Sequence, residues 1–206
     1  MIDYFALLDQ PRRPWIDPEE LKSKFLALSA TVHPDRVHGA SEKQKLEANQ
    51  CSADFNAAYQ CLREPRGRLF HLLELELERK PETIQPAPRS LMNRFLEVGQ
   101  ICQQVDVFLA DRAKITSPIL KAGSFEKAMA WSDKLNALQK SIQTECQALM
   151  DELKALDASW ESAPPPGTID RRELLPLEHL ERVYRELSYL TRWTGQIQER
   201  VVLLSF

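Results

Sequence analysis

The chain is poor in glycine, with 6 among 206 residues, and its four cysteines, Cys51, Cys61, Cys102 and Cys146, stand too far apart for a CxxC pair. That spacing argues against zinc or cluster ligation by a local motif. The cysteines read as buried or neutral thiols in a reducing compartment, most simply a bacterial cytoplasm. No apolar run approaches the roughly 20 residues of a membrane span. The formal net charge is −3, so no basic excess points to nucleic acid. The opening MIDYFALLD lacks the basic region and cleavage site of a secretory signal, and it is not rich in Arg and Ser like a mitochondrial presequence. Strand patterning and repeats of fixed period are also missing. What is present is 43% apolar and 28% charged residues, the balance of a soluble globular protein. Abundant Leu, Ala, Glu, Gln and Lys favour helices, and the fold class expected is all-α.

A short helix is expected from Tyr4 to Leu8, ended before Pro11. A longer one starts behind Asp17, a good N-cap, with Pro18 at the first helical position and Glu20 completing a capping box. Leu21, Phe25, Leu28 and Val32 form one inward stripe, with Lys22 and Lys24 off it. The helix should end near Val32, because the segment then runs into Pro34. Another helix starts at Ser41, with Gln44 completing a capping box, and runs to Leu62 with Phe55, Ala58 and Tyr59 inward. Leu69, Phe70, Leu73 and Leu77 mark one more. Residues 1–78 therefore read as a small helical domain. The Pro-rich stretch 79–88 reads as a semi-rigid linker.

Beyond it, residues 89–206 carry three long heptad-like patterns. The first is Leu91, Phe95, Val98, Cys102, Val105 and Leu109; the second runs from Trp131 to Leu156; the third runs from Leu180 to Leu204. Together they predict an antiparallel three-helix bundle. The segment SAPPPGTID, residues 162–170, separates the last two helices as an extended loop.

The stretch TVHPDRVHG interrupts the N-terminal helices. His33 and Asp35, two positions apart, are compatible with an acid–base pair, half of a metal site, or a turn without chemistry. A catalytic pair is disfavoured, since a short exposed loop offers no pocket, no orienting third group and no oxyanion donors. A metal site from His33, Asp35 and His38 does not close a tetrahedral set, and His71 and His179 read as surface or packing residues. The expectation is a non-enzyme without metal or cofactor.

DYFALL, HPDR, FNAAYQCLREPRGRLFHLL and SLMNRFLE together resemble a J-domain co-chaperone of the HscB type, a family that helps deliver iron–sulfur clusters. The resemblance implies a J-domain followed by a three-helix C-terminal domain. It implies that His33, Pro34, Asp35 and Arg36, with Lys22 and Lys24, dock a DnaK/HscA-type chaperone and bias it toward ATP hydrolysis. Pro34 fixes the loop, and Asp35 offers a charge-assisted acceptor to a chaperone arginine. The helix before the loop holds fewer cations than J-domains usually have, and Arg36 in the loop with Lys43 and Lys45 on the next helix are expected to compensate.

Met92 and Leu96 form a second apolar stripe beside the inward one, and Tyr189 and Trp193 lie off the inward stripe of the last helix. The family resemblance implies that Leu91, Met92, Leu96, Glu97 and Tyr189 bind the client, an IscU-type iron–sulfur scaffold protein. After Glu97 come Val98, Gly99 and Gln100, where the family pattern has more acid. The alternatives are a J-domain protein serving another client and a helical adaptor without chaperone coupling.

Overall fold

The structure, a computed structural model, describes residues 2–32, 41–81, 88–168 and 170–205, the side chains of 118–122 excepted. Among them every regular element is helical: α1 Tyr4–Leu7, α2 Pro18–Thr31, α3 Glu42–Arg63, α4 Pro65–Leu77, α5 Met92–Ala113, α6 Pro118–Glu161, α7 Arg171–Leu174 and α8 Leu177–Leu204, with a 3-10 turn at Arg89–Leu91 before α5. The fold is all-α. Within the Pro-rich stretch, residues 82–87 lie outside the described residues.

Local chemistry sets the helix starts. The Asp17 carboxylate accepts from the N–H groups of Glu19 and Glu20, both at 2.9 Å. Glu20 itself lies 3.4 Å from Lys24 Nζ. At α3 the capping box forms in full: Ser41 Oγ accepts from Gln44 N–H, and the Gln44 side chain accepts from Ser41 N–H at 3.0 Å. The corner between α3 and α4 has room only for glycine at position 67, because an added Cβ would stand 2.8 Å from the Cys61 carbonyl oxygen. Helix α4 ends where Glu78 turns left-handed, at φ 55°.

Contacts divide the chain into two compact units, Met1–Thr83 with Glu152–Tyr184, and Ile84–Asp151 with Arg185–Phe206. Residues 152–184, which helical periodicity alone groups with the C-terminal helices, thus pack with the N-terminal ones. In the first unit α3 carries α1, α2 and α4 on its sides. Phe5, Leu8, Leu21, Leu62, Leu69, Leu72 and Leu73 are fully buried. Phe25 stacks on Tyr59 with ring centroids 4.3 Å apart.

Three polar groups on α4 are buried as well, and each is satisfied from a different part of the chain. Arg68 donates to the carbonyls of Pro14 at 2.9 Å and Leu62 at 2.8 Å. Burial lowers its pKa, to about 10, so it stays charged at neutral pH. His71 Nε2 accepts the Tyr4 N–H at 3.0 Å, which leaves that nitrogen without a proton. Burial also pushes this imidazole below its ordinary range, against the opposing pull of Asp3 and Glu74, so the neutral ring that the bond requires is the favoured one. Glu76 receives a forked pair of bonds from Arg171, at 2.7 and 2.9 Å. His71 is therefore a packing residue, while His179 is half-exposed beside Glu152.

The second unit is a bundle whose directions follow from its bonds. Ser90 meets Glu186 at 2.7 Å, and Arg200 grips Asp106 at 2.7 and 2.9 Å, so α5 and α8 run parallel. Arg94 near the start of α5 reaches Ser141 and Glu145, and Gln139 meets Gln198 towards the far end of α8, so α6 runs the other way. Helix α6 starts at Pro118, well before the Trp131 where its heptad pattern becomes clear.

The Glu76–Arg171 pair supplies a direct stability test. Glu76→Ala or Arg171→Ala leaves one buried charge without its partner, at a cost of about 3–5 kcal/mol. Urea denaturation of each variant should show that loss, and the double variant Glu76→Leu/Arg171→Met should recover most of it.

Candidate interaction surfaces

The loop residues His33, Pro34, Asp35 and Arg36 lie outside the described residues, and so does His38. The helix leading to them is described. Lys22 is exposed on α2. Lys24 is engaged: its Nζ donates to the Asp9 carbonyl at 2.6 Å and lies 3.6 Å from the Asp9 carboxylate and 3.4 Å from Glu20. It clamps the turn after α1, where Asp9 has a left-handed φ of 51°. Leu26, one turn beyond Lys22, is 56% exposed. Lys43 and Lys45 open α3, with Lys45 held to Glu42 at 2.9 Å.

The second surface is built by α5 and α8 in the second unit. Val98, Cys102 and Val105 point α5 into the bundle, and Leu91 is nearly closed off at 8% exposure. On the adjoining face Met92, Phe95 and Leu96 are 43%, 45% and 53% exposed. Phe95 corrects the expected inward stripe. At 100° per residue it sits about 40° from Leu91, at the edge of the buried arc. The ring of Trp193 occupies the space beneath it, 6.4 Å away.

Trp193 corrects the expectation in the opposite sense, being only 3% exposed although it lies off the heptad line of α8. A helix packed against two others buries more than a heptad seam, and Glu186 is buried for the same reason. Tyr189 is half-buried, tilted against Trp193 at 5.6 Å, with the Arg192 guanidinium 5.8 Å from its ring centre. The surface therefore has an aromatic floor, Trp193, and a rim of Met92, Phe95, Leu96 and Tyr189. Sequence spacing sets Met92, Leu96, Tyr189 and Trp193 alike off the inward stripes. It takes Phe95 as inward and leaves Trp193 outside, because the heptad line does not say which of two neighbouring rings lies underneath.

Charge beside this surface is largely spoken for. Glu97 pairs with Arg94 at 2.5 Å, and Arg94 is also bonded to Glu145 and, at 2.7 Å, to Ser141. Next to them a cavity of about 430 Å3 is lined by Ser90, Leu91, Arg94, Glu97, Glu145 and Glu186, among others. An exposed apolar rim on a rigid aromatic floor suits contact with another protein.

Burial pushes the Cys61 thiol up to about 11 and raises Cys102 and Cys146 too, which keeps these three protonated at neutral pH. Among the described residues no cluster of three His, Cys, Asp or Glu side chains is placed to hold a metal ion, and no helix is long and apolar enough to cross a membrane.

No protein-family model matches the chain. It is 37% identical over 75 residues to the co-chaperone protein HscB of Proteus mirabilis. That match covers 36% of this chain, and the chain spans 43% of the relative's length. In fold it resembles the chaperone HscB from Vibrio cholerae, with a TM-score of 0.52 at 22% identity over 96% of each chain. It also resembles the human co-chaperone protein HscB, with a TM-score of 0.61 at 21% identity, covering 100% of this chain and 83% of the other. The likeness to HscB-type co-chaperones first seen in the sequence is thus met again, in a relative of that name over part of the chain and in two structures that share its all-α fold.

The exposed rim and the buried floor are separable by stability. Trp193→Ala should cost about 3–5 kcal/mol, as removal of a buried aromatic does. Leu96→Ala should stay within about 0.5 kcal/mol of the unaltered chain. Thermal or urea unfolding of the two variants checks this.

Proposed function

We propose that the protein is an HscB-type co-chaperone: it stimulates ATP hydrolysis by a DnaK/HscA-type chaperone and presents to it an IscU-type iron–sulfur scaffold protein. The observation that carries this is the conjunction of the HPDR tetrapeptide after a helix bearing exposed Lys22 with a separate apolar surface on α5 and α8. A tethering protein needs two such faces, one for each partner.

On this reading residues 1–78 are the J-domain, and residues 89–206 hold the client. His33, Pro34, Asp35 and Arg36 meet the chaperone. Asp35 offers a carboxylate to a chaperone arginine, and Pro34 limits the loop's freedom so that less is lost on docking. Of the two lysines on α2, Lys22 is the one available for steering, since Lys24 already serves the Asp9 turn. The protein forms and breaks no bond in this role. It binds the hydrolysis-competent state of the chaperone better than the other, and that difference in affinity is the whole of its effect on the rate.

Met92, Leu96 and Tyr189, with Leu91 at the edge, bind the client, and Phe95 joins them from its exposed position. Glu97 contributes as the outer member of its pair with Arg94 rather than as a free charge. Holding the client on one domain while the other engages the chaperone raises the client's effective concentration there. A second reading, a J-domain co-chaperone for a different client, is favoured by one feature: Val98, Gly99 and Gln100 leave the surface with little free acid beyond Glu97.

His33→Gln and Asp35→Asn test the chaperone half. Each should abolish stimulation of single-turnover ATP hydrolysis by the cognate DnaK-type chaperone while leaving the far-ultraviolet circular dichroism unchanged. Stimulation at the wild-type level by both variants contradicts the proposal.

A further inference from the structure

The two helices that build the apolar surface of the second unit carry their charges differently. On α5 the acids are matched: Glu97 pairs with Arg94, and Asp106 is held by Arg200 at 2.7 Å. On α8, Glu186 is buried and accepts from Ser90 Oγ at 2.7 Å. Two arginines of α8 are left over. Arg185 is half-buried and Arg192 is exposed, and neither meets a carboxylate among the described residues. Arg185 Nε has no acceptor, and the Arg192 guanidinium has only the Tyr189 ring, 5.8 Å from its centre. The other arginines on α5 and α8 each hold an oxygen: Arg94 that of Glu97, Arg112 the Leu204 carbonyl at 3.1 Å, and Arg200 that of Asp106.

Helical geometry puts the two unmatched cations at the client surface. Arg185, Tyr189 and Arg192 follow one another at spacings of four and three, so they share one face. The two arginines stand about 10 Å apart along the axis, with Tyr189 between them. Ser90 meets Glu186, and the Phe95 ring lies 6.4 Å from that of Trp193, so this length of α8 runs beside the start of α5. Arg185 and Arg192 therefore bracket the stretch that exposes Met92, Phe95 and Leu96. The next carboxylate along this face of α8, Glu199, is about two turns past Arg192. Tyrosine, tryptophan and arginine are the residues that most often dominate binding at a protein contact. A guanidinium gains most from a carboxylate, which it can hold through two parallel bonds, and it repels another cation.

We propose that the α5 and α8 surface selects a partner segment that is both apolar and acidic. Its apolar side chains cover Met92, Phe95 and Leu96, and its carboxylates pair with Arg185 and Arg192. The inference rests on the reading of this surface as the client site, and it adds the charge that the client carries there. It also reverses the acidic character that the family resemblance implies for the surface. A helix with two carboxylates seven residues apart matches the span between the arginines.

The test titrates two peptides into the full chain by isothermal calorimetry. One is acetyl-Glu-Gln-Ala-Leu-Leu-Gln-Ala-Glu-Gln-Ala-Gln-Leu-amide, and the other has lysine in place of both glutamates. The acidic peptide should bind, and the basic one should bind about tenfold more weakly or less. Arg185→Gln/Arg192→Gln should keep the thermal midpoint and bind the two peptides alike. Met92→Ala/Leu96→Ala should lose the binding of both. The two wild-type titrations decide the matter if the arginine variant folds poorly. Equal binding of the two peptides by the wild type overturns the acidic preference while leaving the apolar surface in place. Tighter binding of the basic peptide, no binding of the acidic one, or an undiminished preference in the arginine variant overturns it too. Undiminished binding by Met92→Ala/Leu96→Ala would instead overturn the reading of the surface itself.

Discussion

The buried ion pair between Glu76 and Arg171 is the constraint on which the first unit is arranged. Two charges taken out of water together are tolerable only with near-ideal geometry, and here the guanidinium presents two nitrogens to one carboxylate, with a third bond to Pro164. Those demands fix α7 and the Pro-rich segment against α4 at one place and in one orientation. The same helix fixes the N-terminal segment through Arg68 and the first helix through His71. Helix α4 is therefore more than an apolar filler. Its leucines supply the burial, and its three polar groups specify which segments share it. A similar division appears where Asp157, near the end of α6, takes Arg13 and the Trp15 N–H, while Lys154 lies over the Trp15 ring at 4.6 Å.

The second unit follows a different economy. Its core is a plain apolar seam, closed at its ends by pairs such as Arg200 with Asp106. Three helices enclose only so much surface. Once Trp193 fills the space under α5, the neighbouring Met92, Phe95 and Leu96 are left outside. Leaving a cluster of large apolar side chains in water is unfavourable for the isolated chain, and a surface of this kind is the usual mark of a partner. The first unit spends buried charge on specificity within the chain, and the second keeps an apolar surface in reserve for contact beyond it.

Much of this was legible in the sequence. The Asp17 cap, the Ser41–Gln44 box and the 3-and-4 spacing of leucines are local signals, and local hydrogen bonding and periodicity decide them. The all-α class follows from the same signals. What escaped was non-local. Nothing near Glu76 in the chain says that its partner is Arg171, so the attachment of residues 152–184 to the N-terminal helices was invisible. The roles of Phe95 and Trp193 escaped because periodicity gives an angle around one helix, whereas burial depends on which neighbouring helix fills the space. Lys24 looked like a free surface cation by its helical position, yet the chain doubles back at Asp9 to occupy it. The proposed chaperone contact rests on a contiguous motif, HPDR, whose resemblance needs no third dimension to be recognised and whose residues lie outside the described ones.

The central claim is that one chain links a chaperone to its client, and the joint effect of the two partners on ATP hydrolysis tests it most directly. The rate of a cognate DnaK-type chaperone is measured with this protein alone, with an IscU-type scaffold protein alone, and with both. The account predicts a rate with both that exceeds the sum of the two separate stimulations, and predicts that the variant Met92→Ala/Leu96→Ala/Tyr189→Ala keeps the stimulation given by the protein alone while losing the excess. Simple addition of the two effects in the wild type, or an undiminished excess in the variant, would contradict it.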